Sequence, residues 1–108
     1  MQLSGRRSSG VNYHVTVKKQ VMDFAAGLAP EPRRALKKGI LGLAKEQGDI
    51  KALTDELAGW TRLRVGRHRI IFRYRPGKEI ECVFAEERRL VYELFGAEIV
   101  RILGGGRS

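Results

Sequence analysis

The sixteen residues WTRLRVGRHRIIFRYR, numbers 60 to 75, hold six arginines and no acid. A guanidinium is a rigid fork of N–H donors that matches phosphate or carboxylate oxygens in pairs and stacks on bases. Whether six of them act together depends on spacing. Side chains alternate across a strand, so a strand over 60–65 puts Trp60, Arg62 and Arg64 on one face. Thr61, Leu63 and Val65 take the other. A strand over 68–75 likewise sets Arg69, Arg73 and Arg75 against His68, Ile70, Phe72 and Tyr74. The apolar sides can meet a core. Opposite them lies a cationic surface of Arg62, Arg64, Arg69 and Arg73, with Trp60 at its rim, suited to an anion.

Acids nearby compete for that surface. Glu79 and Glu81 share a face of a strand over 79–85, opposite Ile80, Cys82 and Phe84, and cross-strand ion pairs are a normal device. Such pairs can take up Arg73 or Arg75. Two glutamates cannot neutralise four or more arginines, so a positive patch should survive.

The elements that position these strands read as β-α-α-β-β-β-α. Residues 1–10 (MQLSGRRSSG) have little to bury and form a flexible lead. VNYHVTV (11–17) alternates Val11, Tyr13, Val15 and Val17 with polar residues, the period of a half-buried strand. Val21, Phe24, Ala25 and Leu28 recur at helical spacing within 18–28. Leu36, Ile40, Leu43 and Ala44 do so within 33–47, with Pro32 suited to the first turn and Gly48 to the position past the end. Gly39 and Gly42, inside that helix, would let it pack closely on its neighbour. Residues 49–59 read as a polar connector in which Ile50, Leu53 and Leu57 can pack. Gly66-Arg67 and Pro76-Gly77 are turn signals. LVYELFGAEIVRILGGG closes the chain as a helix, with a flexible tail over 104–108. The fold class is α+β: a small, mostly antiparallel sheet against a helical hairpin, one domain over 11–103.

The composition narrows the partners. Of 108 residues, 21 are Lys or Arg and 12 are Asp or Glu, a net charge of +9. This favours a polyanion or an acidic protein. Cys82 is the single cysteine, so an internal disulfide is excluded. No run approaches the roughly 20 apolar residues of a membrane span, and the N-terminus lacks the apolar block of a secretory signal. The expected location is the cytoplasm. No carboxylate cluster suggests a two-metal nuclease, so neither metal nor cofactor is expected.

The run W-T-R-L-R-V-G-R-H-R-I-I-F-R, a third strand, and then R-R-L-V-Y resemble the RelE/ParE superfamily of bacterial toxins, over roughly residues 12–103. The resemblance implies either ribosome-dependent cleavage of mRNA, as in the RelE kind, or inhibition of DNA gyrase, as in the ParE kind. A third possibility is a silent member that binds only its antitoxin or operator DNA. It also implies a cognate antitoxin that wraps the toxin. Carried over residue by residue, it makes Arg69, Arg88 and Tyr92 the catalytic candidates. Arg62 and Arg64 then contact RNA, and Arg73, on the same cationic face by strand alternation, is expected to join them.

Arg69 is the first choice for the scissile phosphate, with Arg88 beside it; Arg89 is the alternate for Arg88. Tyr92 would stack on a base or relay a proton, although its place in an apolar stripe suits a core tyrosine as well. Glu87 stands where many relatives carry histidine, and Arg62 and Arg64 where the RelE pattern has lysine. These departures leave phosphate binding intact and the proton donor and acceptor unassigned. His68 and His14 read as structural and solvated, respectively.

Overall fold

The computed structural model describes residues 12–87 and 95–97. Its elements are β1 (His14–Val17), α1 (Lys19–Ala26), α2 (Pro30–Gly42) with a 3-10 turn over Leu43–Lys45, and β2 (Asp49–Ala52). A second 3-10 turn (Asp55–Leu57) leads to β3 (Thr61–Val65), β4 (His68–Arg75) and β5 (Glu79–Glu87). The strands form one sheet in the order β1-β5-β4-β3-β2. β1 runs parallel to β5; every other pairing is antiparallel. Of the closing helix, Phe95, Gly96 and Ala97 are described, and they are helical.

Two helices cover one face of the sheet. α2 begins with proline at the first helical position, where the missing N–H costs nothing. The expected stripe is seated: Val21, Leu36, Ile40 and Leu43 are buried against Leu63, Ile70, Phe72, Ile80 and Cys82. Gly39 has a different partner from the one its position suggested. A Cβ there would lie 2.7 Å from Val65 Cγ2, so this glycine brings α2 down onto β3 rather than onto α1. Gly48, at φ +120°, turns the chain into β2 where a Cβ would meet Leu63 Cδ1 at 2.8 Å.

Three further features depart from the sequence reading. First, part of the 49–59 connector is a strand. β2 pairs with β3 through Asp49↔Arg64, Ile50↔Leu63, Lys51↔Arg62 and Ala52↔Thr61. Only Ile50 of its four side chains is even half-buried, too weak a pattern to reveal a strand.

Second, β5 carries a bulge. Ile71 faces Phe84 but Phe72 faces Cys82, leaving Val83 as the extra residue. A one-residue insertion inverts every later side chain, so Phe84 lies on the face opposite Ile80 and Cys82. Gln20 of α1 stands beside the bulge as a surrogate strand. Its amide donates to Ala85 O at 2.8 Å and accepts from Ala85 N at 2.7 Å.

Third, the face away from the helices is not purely cationic. Trp60, Ile71, Val83, Phe84 and Phe95 form a second buried cluster there, with Leu53 and Leu57 packed against it. Trp60 is therefore a core residue rather than a rim residue. Its ring meets that of Phe95 edge-on at 4.9 Å.

Candidate anion-binding site

The arginines of the open face have separated into two groups. Arg73 donates from Nε to Glu81 Oε1 at 2.9 Å, and its guanidinium lies 5.0 Å from the centre of the Trp60 ring. Arg75 and Lys18 approach the same carboxylate at 3.8 and 3.2 Å. Burial alone would raise the Glu81 pKa, but the hydrogen bonds and charges of Arg73 and Lys18 outweigh it and hold the carboxyl below its ordinary value. Arg73, expected to contact RNA, is engaged in an ion pair with Glu81.

At the β2 end, Arg62 Nη1 donates to Asp49 O at 2.8 Å and to Asp49 Oδ1 at 3.2 Å. Its side chain is only 11% exposed. Arg64, half-exposed, reaches the other Asp49 oxygen at 3.8 Å. One carboxylate thus serves two guanidinium groups.

Arg69 stands apart. Its Nε and Nη1 are buried and, among the described residues, have no hydrogen-bond partner. Its cross-strand neighbour is Glu86, whose carboxylate accepts the backbone N–H of Glu87 instead. Among the described residues no ion pair holds Arg69. A buried guanidinium N–H without an acceptor is costly, and an arriving anion would remove that cost.

The acceptor has room. Lys51, Ala52, Leu53, Thr54, Arg62 and Arg69 line a cavity of about 460 Å³. Among the described residues, three cationic side chains and one hydroxyl line it, with no carboxylate or imidazole. This arrangement can grip an oxyanion and stabilise charge that builds on it. Among the described residues it holds no strong proton-transfer group.

Of the six sequence-derived candidates, the structure brings Arg62 and Arg69 to the cavity and Arg64 to its strand row. It draws Arg73 away. Arg88 and Tyr92, with the alternate Arg89, lie outside the described residues. Lys51 and Thr54 were missed because the connector was not recognised as a strand ending beside β3. The one available signal was Ile50 flanked by polar residues before a short polar turn. His68 is buried, edge-on to Phe24 at 5.3 Å, and structural as expected.

A second concavity of about 460 Å³ lies between α1 and α2. Val17, Val21, Met22, Ile40 and Leu41 line it, with Arg33 and Lys37 among its lining residues. Met22 and Leu41 are largely exposed, and Arg33 Nε is buried without a partner. No described helix is long and apolar enough to cross a membrane.

No protein-family model matches this sequence, and no curated protein matches it. Solved structures do. The toxin–antitoxin complex RelBE2 from Mycobacterium tuberculosis is similar at TM-score 0.64 and 24% identity, over 71% of this chain and 99% of that one. The archaeal RelE–RelB complex from Pyrococcus horikoshii gives 0.56 and 24%, over 71% and 96%. The YoeB/ParE toxin from Agrobacterium tumefaciens gives 0.58 at 14% identity, over 69% and 98%. With the sheet order, the helical hairpin and these neighbours together, the chain has the RelE/ParE-like toxin fold.

Proposed function

We propose that this protein is the toxin of a toxin–antitoxin pair and acts as a ribosome-dependent mRNA endonuclease. The observation that carries the reading is Arg69, whose buried, unpartnered N–H groups stand at a cationic cavity. In this reading the 2′-hydroxyl oxygen loses its proton and attacks the adjacent phosphorus. The P–O5′ bond breaks to leave a 2′,3′-cyclic phosphate, and the departing 5′-oxygen takes up a proton, so no net proton is consumed. The protein's share is to stabilise negative charge on the phosphorane through Arg69, with Arg62 fixed beside it. One such donor is typically worth about 2.7–4 kcal/mol, or 10²–10³ in rate. Alignment of the 2′-hydroxyl falls to the ribosome, and orientation of that kind can supply several kcal/mol. Arg88 and Tyr92 remain the proposed partners from beyond β5. No metal or cofactor enters this scheme.

The cognate antitoxin is proposed to occupy the groove between α1 and α2. Its apolar lining suits the apolar face of an amphipathic helix, and Arg33 and Lys37 suit an acidic residue on that helix.

Inducible expression followed by mapping of mRNA ends tests the reading, comparing wild type with Arg69→Ala. Ribosome-dependent cuts that disappear in the variant support it. Intact transcripts accompanied by broken DNA would assign the protein to gyrase inhibition instead. Expression without growth arrest would mark a silent antitoxin- or operator-binding protein.

A further inference from the structure

We infer that the ribose–phosphate chain lies along the β2 edge of the sheet and that Lys51 supplies a second phosphate contact beside Arg69. This rests on the reading of the Arg69 cavity given above and assigns the direction in which the bound chain leaves it.

Among the described residues, the open face offers two directions away from Arg69. Toward β1 and β5, the surface carries Phe84 with Phe95 against it, and its arginines are held by Glu81. A phosphate there would have to displace a carboxylate that three cations already share. Toward β2, the cavity continues past Arg62 to Lys51 and Thr54. Lys51 pairs in register with Arg62 and is exposed. Among the described residues no ion pair holds it.

Lys51 and Arg69 stand on strands separated by β3; Lys51 pairs with Arg62 and Arg69 with Arg64, so they are two strand spacings across and two residues along, about 12 Å of backbone. Side chains of their length shorten that span, so they can reach neighbouring phosphates of one strand. Arg62, clamped by Asp49, fixes the wall between them and is not free to follow the backbone. Thr54 adds a hydroxyl donor at the cavity's outer end.

The test is binding of a fluorescein-labelled RNA oligonucleotide, 2′-O-methylated throughout so that it cannot be cut, measured against NaCl concentration. One lost phosphate contact to a single strand flattens the log–log salt slope by about 0.7, which is roughly fivefold in affinity at 0.1 M salt. Lys51→Ala should show that change with an unaltered melting temperature, and Lys51→Arg should restore it. Arg69→Ala is measured alongside. If Arg69→Ala weakens binding while Lys51→Ala keeps the wild-type slope and affinity, the β2 path is wrong and the cavity reading stands. If Arg69→Ala leaves binding unchanged, the cavity reading itself fails, and the path with it.

Discussion

The two halves of the open sheet face contain the same residue type with opposite duties. At the β5 half, Glu81 gathers Arg73, Arg75 and Lys18, and an aromatic cluster lies beneath. At the β2 half, among the described residues, Asp49 alone serves Arg62 and Arg64, and no carboxylate pairs with Arg69. Cross-strand register does not by itself explain the contrast, since Arg73 faces Glu81 and Arg69 faces Glu86. The difference lies at the bulge between those two pairs. Beyond Val83 the Glu86 carboxylate turns to its own backbone and leaves Arg69 unmatched. Half of the face therefore holds the fold together, and the other half keeps charge available.

The largest expected effect is on the structural half. Trp60→Ala removes the ring that meets Phe95 and underlies Arg73, and emptying such a site typically costs about 3–5 kcal/mol. Chemical denaturation should show that loss. Oligonucleotide affinity, measured where the variant remains folded, should stay near wild type; a comparable loss there would mean that the two halves are not separable. Arg69→Ala is the converse. It should lower cleavage by about 10²–10³ yet leave stability unchanged or slightly raised, because it deletes buried donors that lack acceptors. A marked fall in melting temperature would place Arg69 in the structural half instead.

The helix-covered face was legible in the sequence because its periodicities are unbroken. Leu63, Ile70, Phe72, Ile80 and Cys82 point where strict alternation sends them, and α2 seats Leu36 and Ile40 as its stripe predicts. Strict alternation fails at Val83, whose extra residue has no mark in the sequence, and Phe84 was assigned to the wrong side as a result. It also hid the second core, since Ile71 stands among arginines and Phe95 comes from a distant segment. β2 escaped notice because edge strands exposed to water need few apolar residues. The candidate site was legible in part. Residue type singled out Arg62, Arg64 and Arg69, whereas the loss of Arg73 and the addition of Lys51 depended on which carboxylates the fold brings near.

Glu81 gives the comparison a pH dependence. Its carboxyl is held below the ordinary glutamate value of 4.5, so the charged form is favoured more in the folded than in the unfolded chain. The resulting stability is fully present above that ordinary value and is lost as pH falls through the lowered folded one. Glu81→Gln should therefore destabilise by about 1–3 kcal/mol at neutral pH, and the gap to wild type should narrow as pH falls below the ordinary glutamate value. Urea midpoints from pH 3 to 7 report both. A gap that stays constant with pH would mean that the Arg73 and Lys18 contacts contribute little.

The smallest expected effect separates two arginines that composition cannot distinguish. Arg64 is half-exposed, 3.8 Å from a carboxylate that Arg62 also uses; Arg73 is held at 2.9 Å by Glu81. An exposed pair at that longer distance contributes roughly 0–1 kcal/mol, so Arg64 can turn to a passing phosphate at little cost. Arg64→Ala should weaken the uncleavable oligonucleotide about two- to fivefold and flatten its salt slope by up to about 0.7, without changing the melting temperature. Arg73→Ala should lower the melting temperature and leave the slope alone. The opposite pattern would move the nucleic-acid path toward β5 and remove the distinction between the two halves.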